Sequence, residues 1–369
     1  MKRCSTAGWV LAVVLAAVSA PPTAGAVTGE IGDARVSVNG YLDLQYTYMG
    51  RLPQGTETAP GVFAVAPTPA DPISTLGQER MNLILRVDEE RYRATVNLRA
   101  AQGVDGDTHS TGGRVEVMEA YGEYRRDERF SLRGGTFLTP FGIYNEFRYA
   151  ISLFAPVVLA TVYAPPDNYA DSGGLAHVAP DNVNLMAAGA LGRAPRWLAY
   201  AVYVGAGDRT ATGTDPNEDK AVGGRLTARL AGGRRSIGVS YYTAKDPQPW
   251  GRHRHTMASL DLWTGQLHTE SEMLWVRTST DAADVFAWYV RLSRPVGRAT
   301  PFIGLDFFRD DANPIYARGM RRWSAGAGYE ATSHLYLKAE YHYHTYPGAA
   351  IPDAADAVHM VRLAAIMVF

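Results

Sequence analysis

The sequence predicts an all-β fold: a transmembrane antiparallel up-and-down β-barrel of about sixteen strands. Three observations predict it. Hydropathy alternates with period two over runs of about ten residues, the length that spans a bilayer as a tilted strand. Short turns alternate with long polar loops along the chain, the arrangement of outer-membrane barrels. After position 27 no run of about 18 consecutive apolar residues occurs, so no helix is available to cross a membrane.

The first segment is set apart from this pattern. Lys2 and Arg3 form a positive start, Trp9 to Val18 a short apolar stretch, and Ala24-Gly25-Ala26 a small-residue cleavage site. That is the layout of a secretory signal peptide, so 1–26 is expected to be removed and 27–369 to form one barrel domain. The single cysteine, Cys4, leaves with the signal. An exported chain with no cysteine, 21 Tyr and 37 Gly points to a barrel in the bacterial outer membrane.

The alternation is clearest at residues 36–48. Val36, Val38, Gly40, Leu42, Leu44, Tyr46 and Tyr48 share one face. Ser37, Asn39, Tyr41, Asp43, Gln45 and Thr47 share the other. A strand turns successive side chains to opposite sides, so one face suits lipid and the other water. Met81, Leu83, Leu85 and Val87 repeat the pattern, as do Tyr92 to Ala100 and Leu335 to Tyr343. Turns are expected near 89–90, 126–129, 192–196, 231–235, 264–266, 293–298 and 331–333. Longer loops are expected near 50–77, 103–113, 139–174, 206–220, 246–252, 278–283, 309–319 and 346–356. Two stretches disturb the count. Val115 and Val117 lie out of phase with Met118, Ala120, Gly122 and Tyr124, which a β-bulge near Val117 would explain. Residues 175–191 contain Pro180 and read as one bent strand or a small hairpin, which leaves fourteen or eighteen strands open.

Net charge is -1, so nucleic acid is not expected as a partner. Signals for catalysis are weak, and the chain is not expected to be an enzyme. Asp171-Ser172-Gly173-Gly174 resembles the nucleophile loop of chymotrypsin-like proteases, but Ala170 replaces the preceding glycine and no histidine motif accompanies it. His253 with His255, and His342 with His344, share faces, yet spacing supplies no third metal ligand. No metal or cofactor is expected. Asp208, Asp215, Glu218 and Asp219 read as a solvated loop rather than a Ca2+ site. Trp197, Trp263, Trp275, Trp288 and Trp323 suit interfacial girdle positions, with sugar stacking as the sharper alternative.

Two segments carry resemblances. Val361 to Phe369 alternates and ends in Phe, which resembles the terminal strand of outer-membrane proteins and implies recognition by the barrel-assembly machinery. Glu119-Ala120-Tyr121, Leu132-Arg133-Gly134-Gly135-Thr136-Phe137 and Thr139-Pro140-Phe141-Gly142-Ile143-Tyr144-Asn145 are similar to a stretch of the phosphate-selective porin O/P-like superfamily and related porins. There a G-x-F-x-x-P-F-G run feeds the long third external loop. The match covers roughly 117–147 and implies a porin more than any one solute, because the lysines of phosphate-specific members are scarce here. General porins of this size also imply a homotrimer.

The candidate site follows. Arg80, Arg86, Arg93, Arg99, Arg114 and Arg133, on the second to fifth strands, are expected to line a pore. Guanidinium groups keep their charge and bind carboxylate or phosphate bidentately. Pairing with Glu116, Glu119 and Glu123 across strands is equally compatible with the pattern. The segment 139–174 is too long for an ordinary connection and carries Phe141, Tyr144, Phe147, Tyr149 and Phe154. It is expected to fold inward as a constriction, with Glu146, Arg148, Asp167 and Asp171 facing the arginines. The expected function is a water-filled channel for passive diffusion of small polar or anionic solutes. The alternatives are a barrel enzyme and a structural or adhesive barrel with an occluded lumen.

Overall fold

The computed structural model describes the chain from Val27 to Phe369, apart from residues 52, 54, 60–61, 66–70, 102–113, 148–155, 164–181, 194–195, 207–218, 231–233, 246–251, 280–283 and 348–356. β1 (Val27–Ile31) and β2 (Ala34–Met49) are joined by a tight turn at Gly32, whose φ is 61°. β3 (Gly55–Ala59) and β4 (Val62–Val65) pair with each other inside the first long loop. The first wall continues with β5 (Ile73–Asp88), β6 (Tyr92–Ala101), β7 (Arg114–Asp127) and β8 (Phe130–Leu138). After the long third loop come β9 (Asn182–Arg193), β10 (Arg196–Gly205), β11 (Ala221–Leu230), β12 (Arg235–Lys245) and β13 (Arg252–Thr264). β14 (Leu267–Thr278), β15 (Asp284–Ser293), β16 (Ala299–Asp310), β17 (Met320–Thr332), β18 (Leu335–Thr345) and β19 (Ala357–Val368) complete the chain.

From β5 onward each strand pairs antiparallel with the next, and β19 returns to pair with β2, from Met360↔Met49 to Val368↔Tyr41. The closed sheet, β2 and β5 to β19, has sixteen strands among the described residues. β1 occupies the edge of β2 at Ala34–Val38, beyond the place where β19 ends, and so extends the wall at that rim. Closure leaves no free long edge, so ladder N–H and C=O groups find partners inside the sheet, which a strand structure needs where no water is available.

The faces divide as the alternation predicts. Tyr41, Asp43 and Gln45 are buried, whereas Tyr48, Leu85, Val117, Ile237, Ile303 and Trp323 form part of an exposed apolar outer band. The phase change on β7 is a bulge: Asn97 pairs with Glu119 and Leu98 with Val117, which leaves Met118 without a partner position. The stretch after Pro180 resolves into a single strand from Asn182. Trp275 and Trp323 stand on the outer face. Trp263 does not: it shares a face with inward His255 and Met257 and stacks on His268, centroids 4.2 Å apart.

Candidate functional site

The third loop starts with two glycines of the motif that carries the family resemblance. Gly135 has φ 130° beside an irregularity in the β8–β9 register, and an added Cβ would lie 2.3 Å from the Ala120 carbonyl oxygen. Gly142 has φ 65°, and a Cβ there would lie 2.2 Å from the Tyr163 hydroxyl and 2.5 Å from Glu272 Oε1. Only glycine allows that backbone so close to those groups. Between them Phe137 and Phe141 are fully buried. Asn145 closes the loop's first turn by donating from Nδ2 to the Thr139 carbonyl at 2.9 Å, and a 3-10 turn, Asn145–Phe147, follows.

The two described limbs of the loop, 139–147 and 156–163, lie inside the barrel, against β11 to β18. Tyr163 joins them. Its hydroxyl accepts from the Ile143 N–H at 2.8 Å and the Tyr144 N–H at 3.1 Å, and donates to Glu272 on β14 at 2.5 Å. Glu272 also accepts from the Ile143 N–H at 2.7 Å and from the Tyr289 hydroxyl at 2.9 Å. Burial first, and then the Glu272 carboxylate, hold the Tyr163 phenol well above its ordinary pKa, so it remains a donor at any physiological pH.

Further anchors follow along the same wall. Arg225 on β11 donates to the Gly142 carbonyl at 3.0 Å and pairs with Glu146 at 2.5 Å. Ser240 on β12 accepts from the Gly142 N–H at 3.0 Å. Asp306 on β16 accepts from the Thr161 N–H at 3.0 Å and pairs with Arg322 on β17, which donates to the Leu159 carbonyl at 2.7 Å. Glu340 on β18 accepts from the Val157 and Val158 N–H groups and from His342 Nε2, while Lys338 donates to the Pro156 carbonyl. A loop has no ladder of its own for its backbone, so inner-wall side chains satisfy it.

The opposite wall, β5 to β8, carries the predicted arginines. Arg86 is the register partner of buried Thr95, and Arg99 that of buried Asn82, so both belong to the inner face. Arg93 pairs with Asp88 at 2.7 Å, and Arg133 with Glu123 at 2.7 Å. The Arg133 guanidinium also lies over the Tyr121 ring, 4.4 Å from its centroid. Cross-strand pairing with the wall's own carboxylates therefore holds for Arg133. Arg125, not singled out in the sequence, joins the same network through Asp88 at 3.2 Å. Asn82 donates to Asn97 at 2.9 Å and Asn97 to Glu119 at 3.3 Å, which ties three strands together. Arg80 and Arg114 occupy register positions opposite Asp43 and Ala101; their side chains, and the residues Arg148, Asp167, Asp171 and Asp208, lie outside the described residues. Glu146 makes its ion pair across the lumen from the arginine wall, with Arg225.

His253 Nδ1 and His255 Nε2 lie 2.7 Å apart and bond to each other. Among the described residues no group of three or more His, Asp or Glu side chains is arranged to hold a metal ion. The anchors Glu272, Asp306, Arg322 and Glu340 are functional residues that sequence reasoning did not select. Their one sequence signal was a charged residue at an inward position of an alternating strand.

Neither a protein-family model nor a curated relative matches the chain. Solved structures do. The outer membrane channel DcaP of Acinetobacter baumannii superposes with a TM-score of 0.58 and 13% identity, over 92% of this chain and 99% of that one. The anion-selective porin from Comamonas acidovorans gives 0.61 and 13%, over 91% and 100%. OmpF of Salmonella typhi, solved with daunomycin, gives 0.61 and 10%, over 93% and 100%. At such identities the likeness is one of fold. The chain has the fold of the outer-membrane porins: a closed sixteen-strand antiparallel barrel with its third loop turned inward.

Proposed function

We propose that the protein is an outer-membrane porin: a water-filled channel for passive diffusion of small polar and anionic solutes. One observation carries the reading. The inner face is divided into a wall packed under the third loop, β14 to β18, and a wall, β5 to β8, whose arginines keep contact with solvent. The Arg93 side chain is 26% exposed and that of Arg133 18%, against 4% for Arg322 beneath the loop. Charged rings beside a narrowing are a recognised source of ion selectivity. Here Arg86, Arg93, Arg99 and Arg133, with Arg80 and Arg114 continuing the series, supply the positive field. Asp88 and Glu123 offset part of it, so the anion preference is modest. Arg148, Asp167 and Asp171, on the third loop, supply the facing charges, while Glu146 is held by Arg225.

On the same reading residues 1–26 direct export, the strand ending in Phe369 addresses the assembly machinery, and the barrel sits in lipid as a homotrimer. Reconstitution into planar bilayers under a salt gradient tests the function. Open-channel steps with a reversal potential on the anion side are expected. A folded, inserted and silent barrel would instead favour the occluded structural reading, for which the buried charges of β14 to β18 under the loop speak.

A further inference from the structure

The outer face carries a second charged feature that permeation does not use. On β13 and β14, Arg254 and Arg277 are direct register partners, and both alternate with buried neighbours, so both point outward at the loop-side rim. Like charges directly opposite each other on one face of a sheet destabilise it unless something bridges them. Arg277 has Asp284 at 3.9 Å, a loose contact on an exposed pair. Arg254 has no acidic partner among the described residues. Two strands further on, Arg309 and Arg321 form a diagonal pair on the same outward face, since Arg321 is the partner of Phe307. Arg309 has Asp311 at 3.0 Å; Arg321 is exposed and has no acidic partner among the described residues.

Immediately below these arginines, toward the middle of the barrel, lies an apolar surface. Trp275 and Phe286 are 5.4 Å apart, and Trp288 and Phe307 6.1 Å apart. Trp323 stands two residues from Arg321, at the edge of a groove of about 460 Å³ lined by Val290, Ile303, Leu305, Trp323 and Tyr341. Guanidinium groups above an apolar groove match an amphiphile with an anionic head and a hydrocarbon tail. Arginine forks bind phosphate bidentately, and charge on the lipid face costs little at the interface.

We propose that the outward face of β13 to β17 holds a lipid with a phosphorylated headgroup, its phosphates on Arg254, Arg277, Arg309 and Arg321 and an acyl chain in the groove beside Trp323. The site rests on the reading that the barrel is embedded in the outer membrane, but not on its conducting solutes. Two phosphates suit the two arginine pairs, which stand about two to three strand spacings, or ~10–15 Å, apart.

The test uses the full mature chain, delipidated in non-ionic detergent, with diphosphorylated lipid A as the probe in native mass spectrometry. Retained one-to-one adducts are expected. The R254Q/R277Q/R321Q variant is expected to lose affinity at least tenfold, and the corresponding Lys variant to keep most of it. The single R321Q variant, expected to lose about threefold, serves if the triple variant does not fold. Unchanged affinity in the folded Gln variants would overturn the site. So would displacement of the lipid by inorganic phosphate at equal concentration, because a bare anion site would then suffice. Flotation with liposomes and bilayer conductance on the same preparations report on the embedding and channel readings separately, so failure of either is told apart from failure of the lipid site.

Discussion

The two inner walls of the barrel are built from the same kinds of residue and arranged to opposite effect. β5 to β8 present Arg86, Arg93, Arg99 and Arg133 beside Asp88 and buried Glu123, and the arginines and Asp88 stay partly wet. β14 to β18 present Glu272, Asp306, Arg322 and Glu340, all buried, with their polar atoms spent on loop backbone. A wet ion pair contributes little because water screens it, whereas a buried one is strongly destabilising to break. On the proposed reading, charge on one wall is available to a passing solute, and on the other it fixes the shape of the passage.

The largest effect should come from breaking the packed wall. Arg322→Met leaves Asp306 buried without its ion partner and should cost about 3–5 kcal/mol, read as a lower midpoint of thermal unfolding in detergent. A midpoint unchanged from wild type would mean the loop is not held as described. Deleting 150–165 removes Val157 to Tyr163, the segment that reaches Glu340, Asp306 and Glu272. Single-channel conductance should then rise several-fold; an unchanged value would remove the constriction role.

Gly142→Ala should act on both properties. A left-handed backbone costs a non-glycine residue about 1–2 kcal/mol, and the added methyl would also push on Tyr163 and Glu272. Gly265→Ala has a similar φ of 64° with nothing within 4 Å, so it should lose only the backbone part and leave conductance alone. Equal stability losses in the two variants would show that Gly142 is a turn glycine and nothing more.

On the open wall the signature should reverse. Arg93→Gln should shift the reversal potential toward cations while changing stability by no more than about 1 kcal/mol; Arg133→Gln should shift it the same way and lower stability further, because it leaves buried Glu123 without its closest ion partner. A large stability loss at Arg93, with selectivity unaltered in both variants, would place these arginines with the packed wall.

The smallest effect concerns Asp219 at the loop-side rim, which holds Lys245 at 2.9 Å and Arg252 at 3.0 Å. The hydrogen bond from Lys245, with the charge of Arg252, keeps its carboxyl below the usual range. A carboxyl depressed in the folded state contributes above its unfolded pKa of about 3.9, and the contribution is lost as pH falls through the lower folded value. Asp219→Asn should therefore lower the midpoint of thermal unfolding slightly at neutral pH, and the two proteins should converge in acid.

Much of the site's framework was legible before any coordinates. Asp43 and Leu44 could be assigned to opposite faces from alternation alone, because a period of two leaves no third orientation. The bulge at Met118 showed as a slip of phase between Val117 and Ala120. The inner-face positions of Arg86 and Arg99 were legible for the same reason. The loop's anchors were not. Ile143 meets Glu272 129 positions away, and Val157 meets Glu340 183 positions away. Nothing in local spacing distinguishes these carboxylates from Asp88 or Glu123. The pairing of Glu146 with Arg225, instead of with the facing arginines, belongs to the same class.

By itself the sequence determined the barrel class, most of its strands and turns, and which face of an alternating strand meets water, because that pattern is decided within a few residues; the stretch 175–191 was settled as one strand only by the structure. Only the tertiary structure decided how the inner face is shared between a packed wall and an open one. That depends on where a long loop comes to rest, and its resting place is set by carboxylates and guanidiniums brought together only when the sheet closes.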